Sequence, residues 1–132
     1  MREILFRGKR ENNDEWVEGF FVENHFSVSE YRECFIRDLE GTMYKVIPET
    51  VGQYTGLTDK NGTKIFESDV IKIEFQQDFY IGEIYWADDF LGWIVKFLDG
   101  TTPETMELIN FYNTKYVEVI GNVYDNSELL KG

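Results

Sequence analysis

Residues 71–75 alternate strictly: Ile71, Ile73 and Phe75 fall on one side of an extended chain, Lys72 and Glu74 on the other. A period of two fits a strand with one buried face. Similar short runs recur at residues 4–6, 16–22, 34–37, 44–47, 80–86, 93–98 and 117–123. Polar or glycine-bearing segments separate them: Gly8-Lys9, residues 11–15, Glu40-Gly41, residues 59–62, residues 87–92 and residues 99–101. Asn61-Gly62 is the strongest turn signal, expected to supply the two positive-φ residues of a tight hairpin. Residues 106–112 suit a strand or a helix equally. Residues 23–34 suit a loop or a helical turn opened by Ser29, and residues 126–131 a tail with at most a helical turn. With two prolines, no internal repeat and no low-complexity tract, the chain reads as mainly β with little helix.

From residue 69 to 97 an acid opens a β-branched strand, Gly82 interrupts a second strand, and a third strand carries Trp93. This order is common in SH3-like barrels, where a glycine inside a strand permits a bulge or bend. The expectation is an N-terminal β-rich subdomain at residues 1–58 and an SH3-like β-barrel subdomain at residues 59–132, joined as one compact unit.

A chain of 132 residues can bury a core without staples. With 42% hydrophobic and 17% aromatic residues it is not a disordered chain, despite a net charge of −12. Residues 1–62 carry 12 acids and 8 bases (net −4), and residues 63–132 carry 13 and 5 (net −8). Phosphate backbones require clustered Lys and Arg, so direct nucleic-acid binding is not expected. Arg2, Arg7, Lys9 and Arg10 are a local exception that reads as a solvated strand end. Cys34 is the single cysteine, which leaves no intramolecular disulfide. No signal pattern and no membrane-length apolar run occur, so a cytoplasmic, membrane-free protein is expected. Asn61-Gly62-Thr63 matches a glycosylation sequon and is read as a turn.

Residues 46–57, reading Val-Ile-Pro-Glu-Thr-Val-Gly-Gln-Tyr-Thr-Gly-Leu, are followed by Asp59-Lys60-Asn61-Gly62 and Ile65-Phe66-Glu67-Ser68-Asp69-Val70-Ile71. Together they resemble the signature of the YopX family, proteins encoded by phages and prophages of mainly Gram-positive bacteria. Arg7-Gly8-Lys9-Arg10, Trp16-Val17-Glu18-Gly19 and residues 119–126 extend the resemblance over nearly the whole chain. Ser68 departs from it, since the family usually has glycine there; either the turn needs no positive φ or the chain accepts strain. The resemblance implies a phage origin, a bacterial host cytoplasm, a β-rich fold and self-association into a homo-oligomer. It implies no catalytic residues and no cofactor.

The residues agree that a catalytic centre is hard to assemble. His25 is the only histidine, and its candidate partners Ser27, Ser29 and Cys34 lie within ten residues, whereas triads draw on distant segments. One Cys and one His do not make a zinc site. No phosphate-binding glycine motif is present. Asp88, Asp89 and Glu83 could hold Mg²⁺ or Ca²⁺, though adjacent acids in a strand point apart and such turn acids are ordinarily solvated. Tyr80, Tyr85, Trp86, Phe90 and Trp93 crowd into one hairpin, some packing the core and some forming a candidate binding surface. The expected function is non-catalytic: a binding module for a host or phage protein partner. The alternatives are an acidic DNA mimic or nucleic-acid-associated regulator, and a carboxylate metal-dependent enzyme.

Overall fold

The computed structural model describes residues 4–25, 32–75, 77–88, 91–97, 105–107 and 116–130. Among them are eleven strands, all paired antiparallel where register is defined, and two short 3-10 turns. No helix among the described residues is long and apolar enough to cross a membrane. The chain divides into two compact units, Met1–Tyr54 and Thr55–Gly132.

In the first unit β1 (Phe6–Lys9), β2 (Trp16–His25), β3 (Arg32–Arg37), β4 (Met43–Val46) and the start of β5 (Gly52–Thr58) form a sheet ordered β4-β3-β2-β1-β5. Alternation sends Phe6, Val17, Phe21, Cys34, Ile36 and Val46 to one face, where they form the core with Val51. Gly19 sits on that face because a Cβ there would lie 2.1 Å from the Arg37 carbonyl oxygen. The Glu11 N–H donates to the Lys45 carbonyl (3.1 Å) and the Ile47 N–H to the Lys9 carbonyl (2.9 Å), curling the end of β1 onto β4.

In the second unit the end of β5 and β6 (Lys64–Phe66) flank a hairpin loop. A five-stranded sheet follows, ordered β10-β9-β8-β7-β11, from β7 (Asp69–Phe75), β8 (Asp78–Ala87), β9 (Gly92–Phe97), β10 (Thr105–Glu107) and β11 (Val117–Asn122). Ile65, Ile71, Ile73, Ile84, Val95, Phe97 and Val117 make its core, with Leu57, Tyr80, Trp93 and Val119 packed against it.

The expected SH3-like barrel is not formed. Among the described residues no sheet closes, because β10 and β11 stand at opposite edges of the five-stranded sheet. Gly82 does not mark a bulge either: it pairs in register with Ile71 and Phe97, and a Cβ there would lie 2.4 Å from Val95 Cγ1. The glycine serves close cross-strand packing, while the irregularity falls on β11 between Val119 and Gly121. β2 and β3 extend into residues 23–25 and 32–34, which the sequence left open; residues 26–31 and the turn expected at 99–101 lie outside the described residues. Of residues 106–112, the described part is strand.

Two hairpin loops share one construction. In Asp38-Leu39-Glu40-Gly41-Thr42 and in Asp59-Lys60-Asn61-Gly62-Thr63, the aspartate Oδ1 accepts the N–H groups two and four residues on, at 2.9–3.0 Å. In both, the aspartate N–H donates to the threonine carbonyl, and the glycine N–H to the aspartate carbonyl. Only the glycines take positive φ, +89° and +82°. Asn61 is therefore not left-handed as the Asn-Gly signal suggested; the aspartate carboxylate braces the loop instead.

Candidate functional site

The family-like stretch is the first place to look for chemistry, and its polar residues turn out to hold the backbone. Five polar side chains are buried among the described residues: Thr50, Thr55, Asp59, Asp69 and Asn122. Thr50 Oγ1 donates to the Ile47 carbonyl (2.6 Å) and accepts from the Lys9 N–H (2.9 Å). Thr55 Oγ1 donates to the Ile65 carbonyl (2.8 Å), and Asp69 Oδ2 accepts from the Phe66 N–H (2.7 Å). Asn122 Oδ1 accepts from the N–H groups of Tyr124 and Asp125. Buried polar groups persist when bonded, and these bonds fix turns and strand crossings rather than present groups to a substrate.

Asp59 is the most heavily engaged. Besides its two loop bonds, Oδ2 accepts from the Val119 N–H on β11 at 2.9 Å across sixty positions of sequence. Burial pushes its carboxyl up. The N–H groups of Val119, Thr63 and Asn61, with the charge of Lys60, outweigh burial and hold it below the ordinary aspartate value.

The aromatic residues singled out in the sequence divide between two faces. Tyr80, Trp86 and Trp93 share the core face with Ile84 and Val95; Tyr85 points the other way. Tyr80 is committed to packing, edge-on to Phe97 at 6.0 Å. Phe90, like Asp89, lies outside the described residues.

Trp86 and Trp93 pair directly at the end of the β8–β9 hairpin, with ring centroids 5.1 Å apart and planes at 73°. Trp93 packs on the core and its indole Nε1, fully shielded, has no acceptor among the described residues. Such an orphaned donor costs about 1–3 kcal/mol. Trp86 reaches outward, 37% exposed, and its Nε1 donates to Asp88 Oδ1 at 2.9 Å. Leu91, which precedes β9, is 79% exposed and left-handed at φ +49°. Left-handed backbone is uncommon for a leucine, and an exposed leucine there contributes nothing to the core. The hairpin tip therefore joins an apolar knob, an aromatic face and a carboxylate. Leu91 and the anchoring role of Asp88 were missed in the sequence, although Trp-Ala-Asp at a strand end and Leu-Gly opening the next strand were there to be read.

The metal reading gathers no support from placement. Glu83 on β8 pairs in register with Val70 and Lys96, so a cation rather than a second acid neighbours it. Asp88 is bonded to Trp86, and no group of three His, Cys, Asp or Glu side chains converges among the described residues.

The chain matches the family model described as YopX protein over residues 5–131. Among solved structures it is similar to protein EF1440 from Enterococcus faecalis, with 25% sequence identity and a TM-score of 0.58. The match covers 98% of this chain and 99% of that one. No curated protein matches it. With the family signature, its buried ties and a model match over nearly the whole length, the chain belongs to the YopX family.

Proposed function

We propose that this protein is a non-catalytic phage or prophage accessory protein, acting in the host cytoplasm as a protein-binding module through the tip of its β8–β9 hairpin. The observation that carries the reading is Leu91, 79% exposed in a left-handed conformation at the same hairpin end as the exposed Trp86. Exposed aromatic and aliphatic groups on a rigid hairpin are the usual anchors of protein interfaces, and strained backbone clusters at functional positions. The net charge of −12 favours a basic partner surface and speeds encounter with it.

The DNA-mimic reading draws support from the charge alone and shares the basic partner. Self-association would use the β10 edge of the five-stranded sheet, since on the β11 edge the Val117 carbonyl and Val119 N–H are taken by the Lys60 N–H and the Asp59 carboxylate. The test is affinity capture from host cells with wild type, Leu91→Asp and Leu39→Asp. Leu39 is 93% exposed on the other hairpin loop and serves as the control. The expected result is one dominant partner held by wild type and Leu39→Asp and lost by Leu91→Asp. Equal retention by all three variants would overturn the assignment of the tip.

A further inference from the structure

We infer that the hairpin tip receives an arginine side chain of its partner, a deepening that rests on the tip being the binding surface. In the first unit the chain builds a triad of its own. The Arg10 guanidinium lies over the Tyr44 ring, 4.8 Å from its centroid, and pairs with the Glu15 carboxylate at 3.7 Å. Arg7 likewise lies over Trp16 at 4.7 Å. A planar guanidinium satisfies both neighbours, stacking on the ring and donating in its own plane to the carboxylate.

The tip presents two of these three parts. Trp86 supplies the indole, and the residue is 37% exposed. Asp88 stands at the edge of that ring, fixed by the 2.9 Å bond from Nε1. That bond uses Oδ1. Asp88 is exposed and forms no ion pair with any Lys or Arg among the described residues. The nearest cation by register, Lys96 on β9, stands opposite Glu83 instead. An aromatic face and a held carboxylate side by side recognise a cation. Arginine fits better than lysine because only its fork can stack and bond at once. Residues 63–132, net −8, draw cations to this part of the chain.

The test uses three blocked tripeptides, Gly-Arg-Gly, Gly-Lys-Gly and Gly-citrulline-Gly, titrated into the full chain at about physiological ionic strength. The chain has three tryptophans, so the assigned indole N–H resonances of Trp16, Trp86 and Trp93 report location as well as binding. The arginine peptide is expected to shift Trp86 saturably and bind about fivefold more tightly than the neutral citrulline peptide. Asp88→Asn, which keeps an oxygen to accept the Trp86 N–H, is expected to erase that difference and leave the Trp93 resonance in place. Equal response to arginine and citrulline, no response, a response confined to Trp16, or full binding by Asp88→Asn would each overturn the proposal. Capture of the cellular partner separates the two levels. Dependence on Leu91 without dependence on Asp88 removes the arginine and keeps the binding surface; dependence on neither removes both.

Discussion

Replacing Asp59 with alanine should destabilise the protein far more than the equivalent change at Asp38, although the two loops are built alike. In each, the aspartate Oδ1 accepts two local N–H groups. Those donors lie at the surface, where water replaces most of the lost bonding, so the local bonds are worth about 1 kcal/mol together. The second carboxylate oxygen makes the difference. At Asp38 it accepts from the Tyr44 hydroxyl at 3.2 Å, an exchange water can also make. At Asp59 it holds the Val119 N–H of β11, and the residue is only 5% exposed. Losing a charged acceptor from a buried donor costs about 1.5–3 kcal/mol. The expected losses are about 3 kcal/mol for Asp59→Ala and about 1 kcal/mol for Asp38→Ala, or roughly 10 °C and 3 °C in Tm. Urea unfolding followed by tryptophan fluorescence gives the two values. Equal losses would refute the claim that the Val119 tie carries the second unit's loop.

The acid limb of stability tests the same residue. Because the Asp59 carboxyl sits below its ordinary value when folded, its contribution is complete above about pH 5. That contribution is lost as the pH falls through the folded pKa. Asp59→Asn should flatten this limb while lowering stability at neutral pH, since its amide nitrogen would face the Val119 N–H. An acid limb identical to wild type would contradict the assignment.

Gly19→Ala should cost about 3 kcal/mol or more, because its Cβ would meet the Arg37 carbonyl at 2.1 Å; a melting curve within 3 °C of wild type would be the contrary result. Ser68→Gly and Leu91→Asn should each stabilise by about 0.5–1 kcal/mol, since Ser68 (φ +72°) and Leu91 (φ +49°) hold conformations that suit the new residues better. Denaturant midpoints for the two variants check this. Ile71→Ala, at a fully buried position, should cost about 2–5 kcal/mol by the same measurement.

Much of the fold was legible because alternation was clean. Val70 to Phe75, the β8–β9 pair and the β11 region appear where the period of two placed them. β5 and β6 were not read as strands. Gly52, Thr55 and Gly56 break the apolar pattern of β5, and it is held by partners remote in sequence, such as the pairing of Gln53 with Phe6 on β1. The barrel expectation failed because a glycine inside a strand has two physical uses, and the sequence does not say whether Gly82 makes a bend or admits Val95. The repeated Asp-x-x-Gly-Thr loop was readable as a motif, but its meaning lay in the side-chain acceptor rather than in Asn-Gly. Ser68 shows the chain accepting a left-handed residue where the family usually has glycine. For the candidate site, composition located the aromatic hairpin. Alternation alone would have separated Tyr85 from Trp86, yet the exposure of Leu91 and the hold of Asp88 on Trp86 depend on three-dimensional placement at the hairpin end.

The most direct measurement is site-specific photocrosslinking in host cells, with a photoreactive amino acid at position 91 and, separately, at position 39. A discrete adduct from position 91 that position 39 does not give is the expected result. No adduct from position 91, or the same adducts from both sites, would contradict a binding surface at the hairpin tip.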